Sequence, residues 1–279
     1  MAAPAPARTG AAVRPAVPRR TRRSLPLHPR VWLPTTVLVV ILGVAWSVIA
    51  DAHPYILPRL SEVGWTLVDE PLLFLENTWS TLQIALTGVA FGAGSAFLLA
   101  LLMSEISMVR RALMPLAVVL NVTPVIAITP ALVVAFGFGM TPKVVVTAII
   151  TFFPVLINAT TGLRSIPTPI LHVFETLHAS RAEVLFRLRI PSSLPYTLAA
   201  LRVVFPLSVV GAVVAEFVAA GSSGGLGTMI RNSAATARLD HVYAAIACLA
   251  AIGVLLLVLV TVVERRLLFW HESQQAPSC

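Results

Sequence analysis

The sequence predicts an all-α, polytopic membrane protein with six transmembrane helices. Two observations carry that prediction. The 279 residues are 57% hydrophobic and only 11% charged, with a mean hydropathy of +0.89, whereas soluble domains are about 25% charged. The apolar residues also fall in long runs, and a helix rising about 1.5 Å per residue needs about 20 of them to cross a bilayer core. This composition excludes a soluble globular enzyme and a disordered chain. The net charge of +8 and the pI near 10.9 would suit a nucleic-acid binder. In a membrane chain they reflect lopsided loop charge, so no nucleic-acid partner is expected.

Residues 1–30 are rich in Ala, Pro and Arg and predict a disordered basic cytoplasmic tail. Their arginines enforce topology or rest on anionic lipid. The first span is 31–50. Its Arg-rich flank and the Ala50-Asp-Ala52 site resemble a cleavable signal. The apolar run of about 20 residues is longer than a usual signal core, which favours a retained span. An extracytoplasmic loop follows at 51–77. The remaining spans are 78–103, 112–140, 144–163, 194–220 and 242–263, inside a transmembrane domain over 78–264 with a cytoplasmic tail at 265–279.

Gly88 and Gly92 form a G-x-x-x-G step for close helix packing in the second span. The third stretch is too long for one straight span. Pro115, Pro124 and Pro130 break it, and about 112–136 is expected to cross. The fifth span alone carries charge, with Arg202 near its start and Glu216 near its end. Of the 20 basic residues, all but Arg59, Lys143, Arg231 and Arg238 lie on one side of this topology. The positive-inside rule therefore places both termini in the cytoplasm.

The most informative stretch is 165–195, between the fourth and fifth spans. Thr168-Pro169 reads as an N-cap with proline at the first helical position, giving a short helix to about Leu177. Ser180-Arg-Ala-Glu183 is a capping box. It opens a second short helix that is expected to stop before Pro191. Val184, Leu185 and Leu188 would face the membrane domain, while Arg181, Arg187 and Arg189 stay wet. A cytoplasmic helix pair is thus placed at about 168–190. From spacing alone, this element is either a partner-inserting helix pair or a loop folded back on the bilayer.

This stretch resembles the cytoplasmic signature E-A-A-x-x-x-G-x9-I-x-L-P of permease subunits of bacterial ABC importers. It is most similar to the nitrate/sulfonate/taurine type, with the pyrimidine and riboflavin precursor carriers close by. The matching residues are Glu175-Thr-Leu-His-Ala-Ser-Arg181, Phe186-Arg187, Ile190-Pro191 and Leu194-Pro195. Leu57-Pro58 with Ser61-Glu62-Val63, Pro130 with Phe136-Gly137-Phe-Gly139 and Lys143, and Gly211 through Glu216 also resemble that family's pattern, as do Gly225-Leu-Gly227 and Glu264-Arg-Arg266 with Trp270. His172-Val173-Phe174 and His178 depart from it, standing where the family has Glu-Ala-Ala and the turn glycine.

The resemblance implies an importer subunit in the bacterial inner membrane, working as a homodimer with a cytoplasmic ABC ATPase, an extracytoplasmic solute-binding protein and membrane lipid. It implies ATPase coupling through Glu175, Leu177, His178, Ala179, Ser180, Arg181, Leu185, Leu188, Ile190 and Pro191. The solute would be nitrate-, sulfonate- or taurine-like, or a vitamin-precursor heterocycle.

No phosphate-binding G-x-x-x-x-G-K-[ST] loop is present, so this chain carries no cofactor and ATP with Mg would sit on the partner. The histidines are scattered and read as isolated surface or loop residues. No Cys/His cluster has metal-ligand spacing, and no catalytic constellation lies within the spans. Asn121, Thr123, Thr129 and Asn158 are polar groups in apolar spans. They either bridge helices or line the solute path. Glu216 is either an outer gate or a cap for the turn that follows. Two alternatives stay open: a coupling-defective homologue, given His172 and His178, and an ATP-independent secondary transporter.

Overall fold

The computed structural model describes residues 29–219 and 224–268, with side chains from residue 33 onward. The basic tail up to residue 28 and the Trp270 end lie outside the described residues. Among the described residues every regular element is helical. The first helix, α1 (Pro29–Ala52), is uncharged between Arg30 and Asp51 and belongs up to Ile49 to a unit of its own.

The second unit starts at Ala50. The predicted loop at 51–77 contains α2 (Leu60–Asp69) and the first two turns of α3 (Pro71–Glu105). The Arg59 N–H donates to the Glu62 carboxylate at 3.1 Å, which caps α2. Pro71 then opens α3 at a position where its missing N–H is harmless. Next come α4 (Ser107–Val122), a 3₁₀ turn (Val125–Ile128) and α5 (Thr129–Phe136).

The third predicted span is thus a bent pair. Its two parts meet at 87° and together can make one crossing. The bend falls at Pro124, because the residue before a proline avoids helical angles and Thr123 sits at ψ 130. Pro115 is absorbed inside α4, and Pro130 lies in the first turn of α5. The long helices α6 (Met140–Leu163), α9 (Ile190–Val218) and α11 (Leu239–Leu267) are, with α1 and α3, long and apolar enough to cross a membrane. A short α10 (Leu226–Ala235) follows Gly225.

Between α6 and α9 lie α7 (Thr168–Thr176) and α8 (Arg181–Val184). The cap of α7 is Pro167, one residue earlier than expected, so Thr168 is already helical. The helix that starts at Arg181 does not stop before Pro191. It passes through a π turn (Leu185–Arg189) directly into α9. The reason is local. The Ile190 N–H reaches back five residues to the Leu185 carbonyl, and this wider turn makes room where a proline ring would press on the preceding turn.

At the centre, α6 is packed between α3 and α9, and small residues set the spacing. A Cβ at Gly88 would strike the Thr147 side chain, and one at Gly92 would strike the Ala148 carbonyl and Thr151. Gly162 meets Ser193 and Tyr196 in the same way. Lipid offers no hydrophobic drive between helices, so close van der Waals contact must hold them. The outward faces stay apolar, with Phe91, Leu98, Val203 and Val254 all exposed. Gly92→Val should therefore lower the unfolding free energy in detergent by about 1–3 kcal/mol through overpacking. Gly94→Ala, which meets nothing within 4 Å, should leave the melting temperature unchanged; equal effects of the two would refute this account of the crossing.

Candidate functional site

The predicted coupling residues come together at one end of the second unit. Helix α7 ends in a Schellman turn. The Ala179 N–H donates to the Phe174 carbonyl at 3.0 Å, and the His178 N–H to the Glu175 carbonyl at 3.0 Å. This turn needs a left-handed residue, and His178 supplies it at φ 53. The geometry that a glycine would adopt freely is thus reached by a histidine, at a cost of about 1–2 kcal/mol. Ser180 then caps α8. Its Oγ accepts from the Glu183 N–H at 3.2 Å, while the Ser180 N–H donates to Glu183 at 2.9 Å. The capping box read from the sequence is present as expected.

The tip of this element is apolar and open. Leu177 is 73% exposed and Phe186 is 67% exposed, and Val173 and Ile170 join them on the outside. Leu185, Leu188 and Ile190 are half-buried. Pro191 is exposed. Glu175 pairs with His172 at 2.9 Å, an exposed contact of little energetic weight. One expectation fails here. Arg189 does not stay wet: its Nη1 donates to the Ser104 carbonyl at 2.9 Å and to Glu105 at 2.8 Å. That contact pins the π turn to the end of α3. Glu105 is a lone acid closing a long uncharged run, and this was the available signal.

At the opposite end, Glu216 is fully buried. Its Oε1 accepts from the Thr81 hydroxyl at 2.8 Å and its Oε2 from the Gly227 N–H at 2.6 Å. The Thr81 hydroxyl accepts in turn from the Leu226 N–H at 2.9 Å, and Asn77 accepts from the Gly225 N–H at 2.7 Å. The orphan N–H groups that open α10 are therefore satisfied by side chains of α3 and α9, and the carboxylate sits where a helix dipole favours it. Gly225, at φ 145, lies against the carboxylate with no room for a Cβ. Lys143 of α6 is also fully buried and within Coulombic reach of Glu216. Sequence reading missed Lys143 as the partner, although it and Glu216 are isolated charges at the ends of apolar stretches.

The other polar candidates lie apart. Thr129 is buried, and its hydroxyl donates to the Val125 carbonyl. Thr123 donates to the Val119 carbonyl, and the Asn158 amide donates to the Pro154 carbonyl. Asn121 is exposed on α4. His241 corrects another expectation. It is 3% exposed, not a surface residue, and lies between Asp240 at 2.8 Å and Glu70 at 3.4 Å. Arg202 stays half-exposed and sits 4.0 Å from Glu264.

Residues 78–269 match the family model described as binding-protein-dependent transport system inner membrane component. The chain is similar to the formylaminopyrimidine transport permease protein of Halalkalibacterium halodurans. The two are 34% identical over 87% of this chain and 97% of the relative. It is 32% identical to the riboflavin transport system permease protein of Chloroflexus aurantiacus, over 88% and 92% of the two chains. With the taurine transport system permease protein of Escherichia coli it shares 31% identity over 92% and 96%. Its fold is similar to that of a chain of the MetNI methionine ABC transporter in an inward-facing conformation. The TM-score is 0.62 at 16% identity, covering 71% of this chain and 98% of that one.

Truncating Glu216→Ala should cost about 3–5 kcal/mol, because it strands buried partners on three helices. Glu216→Gln keeps the shape and part of the hydrogen bonding and should cost less. Thermal unfolding in detergent checks the order; a neutral Glu216→Ala would contradict it.

Proposed function

We propose a way of working for this chain, which belongs to the family of binding-protein-dependent transport system inner membrane components and is a permease subunit of an ABC importer. Two copies pair through their apolar outer faces and leave a solute path between them. The α7–α8 end lies in the cytoplasm, a placement that the distribution of basic residues supports, and the α10 end faces outward. ATP and Mg are bound by a separate ATPase subunit. Its surface groove takes the tip formed by Leu177, Ala179, Ser180 and Leu185, with Glu175, His178 and Arg181 at the rim. A solute-binding protein delivers cargo at the α10 end.

One observation carries the coupling assignment. An ordered, doubly capped turn presents bulky apolar side chains to water at a place where the fold itself has no use for them. Large exposed apolar residues held on a rigid tip mark a docking surface. The Schellman turn forms with His178 in the glycine position, which favours a working permease over a coupling-defective one. Because α8 continues through the π turn into α9, a push on the tip is delivered along α9. ATP-driven closure of the ATPases would then rock the spans between inward-open and outward-open states. The relatives named for formylaminopyrimidine and riboflavin support a small nitrogen heterocycle as cargo; a taurine-like sulfonate is the second choice.

Changing Leu177, Ser180 and Leu185 together to Asp should abolish co-purification with the ATPase while the permease still folds. Retained binding would refute the docking assignment. His178→Gly should raise the stability of the turn by about 1 kcal/mol, read as slower hydrogen exchange at the Ala179 amide, with ATPase stimulation at least equal to wild type.

A further inference from the structure

The coupling tip runs into α9 by chain continuity, but it also holds the end of another span. Arg189, the last residue of the π turn, directs Nη1 to the Ser104 carbonyl at 2.9 Å and to Glu105 Oε1 at 2.8 Å. Among the described residues, these are the only hydrogen bonds or ion pairs between 168–189 and α3, α4, α6 or α11. They are shielded. Ser104 is buried, and the side chains of Arg189 and Glu105 are 23% and 29% exposed. A shielded, charge-assisted hydrogen bond is stronger and more directional than an exposed ion pair.

Two features of the α3 end call for this arginine. The last turn of α3 holds no basic residue, and an acid there, Glu105, opposes the helix dipole. The Ser104 carbonyl is one of the four that a helix leaves open at its end. Arg189 answers both with one nitrogen. A single extended residue, Ile106 at φ −109 and ψ 100, then links α3 to α4. Whatever holds the end of α3 therefore also holds the start of α4, which leads to the 87° bend.

Beside this contact the space is open. A cleft of about 370 Å³ is lined by Glu105 and Arg189 together with Leu171 and Glu175 of α7 and Arg181 and Val184 of α8. Open space transmits no push, so a displacement of the tip reaches α3 through the bonded contact at the edge of the cleft.

We propose that Glu105 and Arg189 are positioning residues for coupling: their ion pair, with the Ser104 carbonyl, carries movement of the tip to the α3–α4 corner. The tip thus drives α9 by continuity and the α3–α4 pair through Arg189. This rests on the docking of the ATPase at the tip proposed above.

Hydrogen exchange of the full chain in complex with its ATPase, with and without ATP and Mg, tests the link and needs no transported solute. ATPase binding should protect peptides within 170–186. ATP should then change the exchange rate within 104–112 at least about fivefold, the low end for coupled sites. Arg189→Met and Glu105→Ala should keep the protection at the tip and lose the response at 104–112. Combining them should do no more than Arg189→Met alone, as for two residues of one contact. Arg189→Lys, which keeps a cationic donor, should restore most of the response. Glu105→Ala leaves Arg189 bonded to Ser104, so it carries the test should Arg189→Met fail to fold. Arg111→Gln, an exposed neighbour, should respond like wild type. An unchanged response in Glu105→Ala and Arg189→Met would overturn the link, and so would an equal loss in Arg111→Gln. Wild-type protein that protects its tip but stays silent at 104–112 would overturn this link alone. A tip left unprotected by the ATPase would overturn the docking assignment and the link with it.

Discussion

The buried carboxylate of Glu216 is the constraint around which the α10 end of the fold is organised. A charge in an apolar interior is tolerated only with partners on every side. Here those partners come from different helices: Thr81 from α3, the Gly227 amide from α10, and Lys143 from α6 within Coulombic reach. A single side chain thereby fixes the mutual positions of four helices. It also explains two glycines. At Gly225 and Gly227 a Cβ would collide with Glu216 itself, so the chain can close over the carboxylate only where side chains are missing. A network of this kind is worthwhile only when fully satisfied, and this one also provides the N-terminal cap that α10 lacks of its own.

The other half of the architecture is mechanical continuity. Helix α9 starts in the π turn that Arg189 ties to the end of α3, and it ends at the Glu216 node. Its 29 residues amount to about 44 Å of helix at 1.5 Å per residue, enough to join the two faces of a bilayer. Glycines let α3, α6 and α9 touch backbone to backbone along that length. Packed interfaces of this sort switch between discrete arrangements and do not deform smoothly. In the proposed cycle, a displacement of the coupling tip would be transmitted as a rigid shift of α9, with the Glu216 node as the far anchor.

Much of this was legible in the sequence because the bilayer imposes simple rules. Long apolar runs located the spans, Gly88 and Gly92 marked a close contact, and Ser180 with Glu183 announced a cap that the structure forms. What escaped has physical reasons. The stop expected before Pro191 failed because a π turn can absorb a proline, which no one-dimensional rule anticipates. The bend of the third stretch had three candidate prolines, and a proline can also be absorbed inside a helix, as Pro115 is, or open one, as Pro130 does. His241 looked like any loop histidine, because its acidic neighbour Glu70 comes from the distant junction between α2 and α3. Lys143 and Glu216 stand far apart in sequence, and nothing local pairs them. Short helices α2 and α10 were hidden inside connections, since one leans on a backbone cap at Arg59 and the other on caps borrowed from distant spans.

The central claim is that the coupling tip and α9 act as one rigid piece. The direct test is to break their continuity at an exposed position. Arg187 is exposed and, among the described residues, makes only a loose 3.8 Å ion pair with Glu183. Arg187→Pro should disrupt the π turn, since an interior proline costs a helix about 3 kcal/mol or more. Measured in proteoliposomes with the ATPase and binding protein, this variant should still bind its ATPase but lose ATP-driven uptake. Uptake at the wild-type rate, with the ATPase bound, would contradict the account.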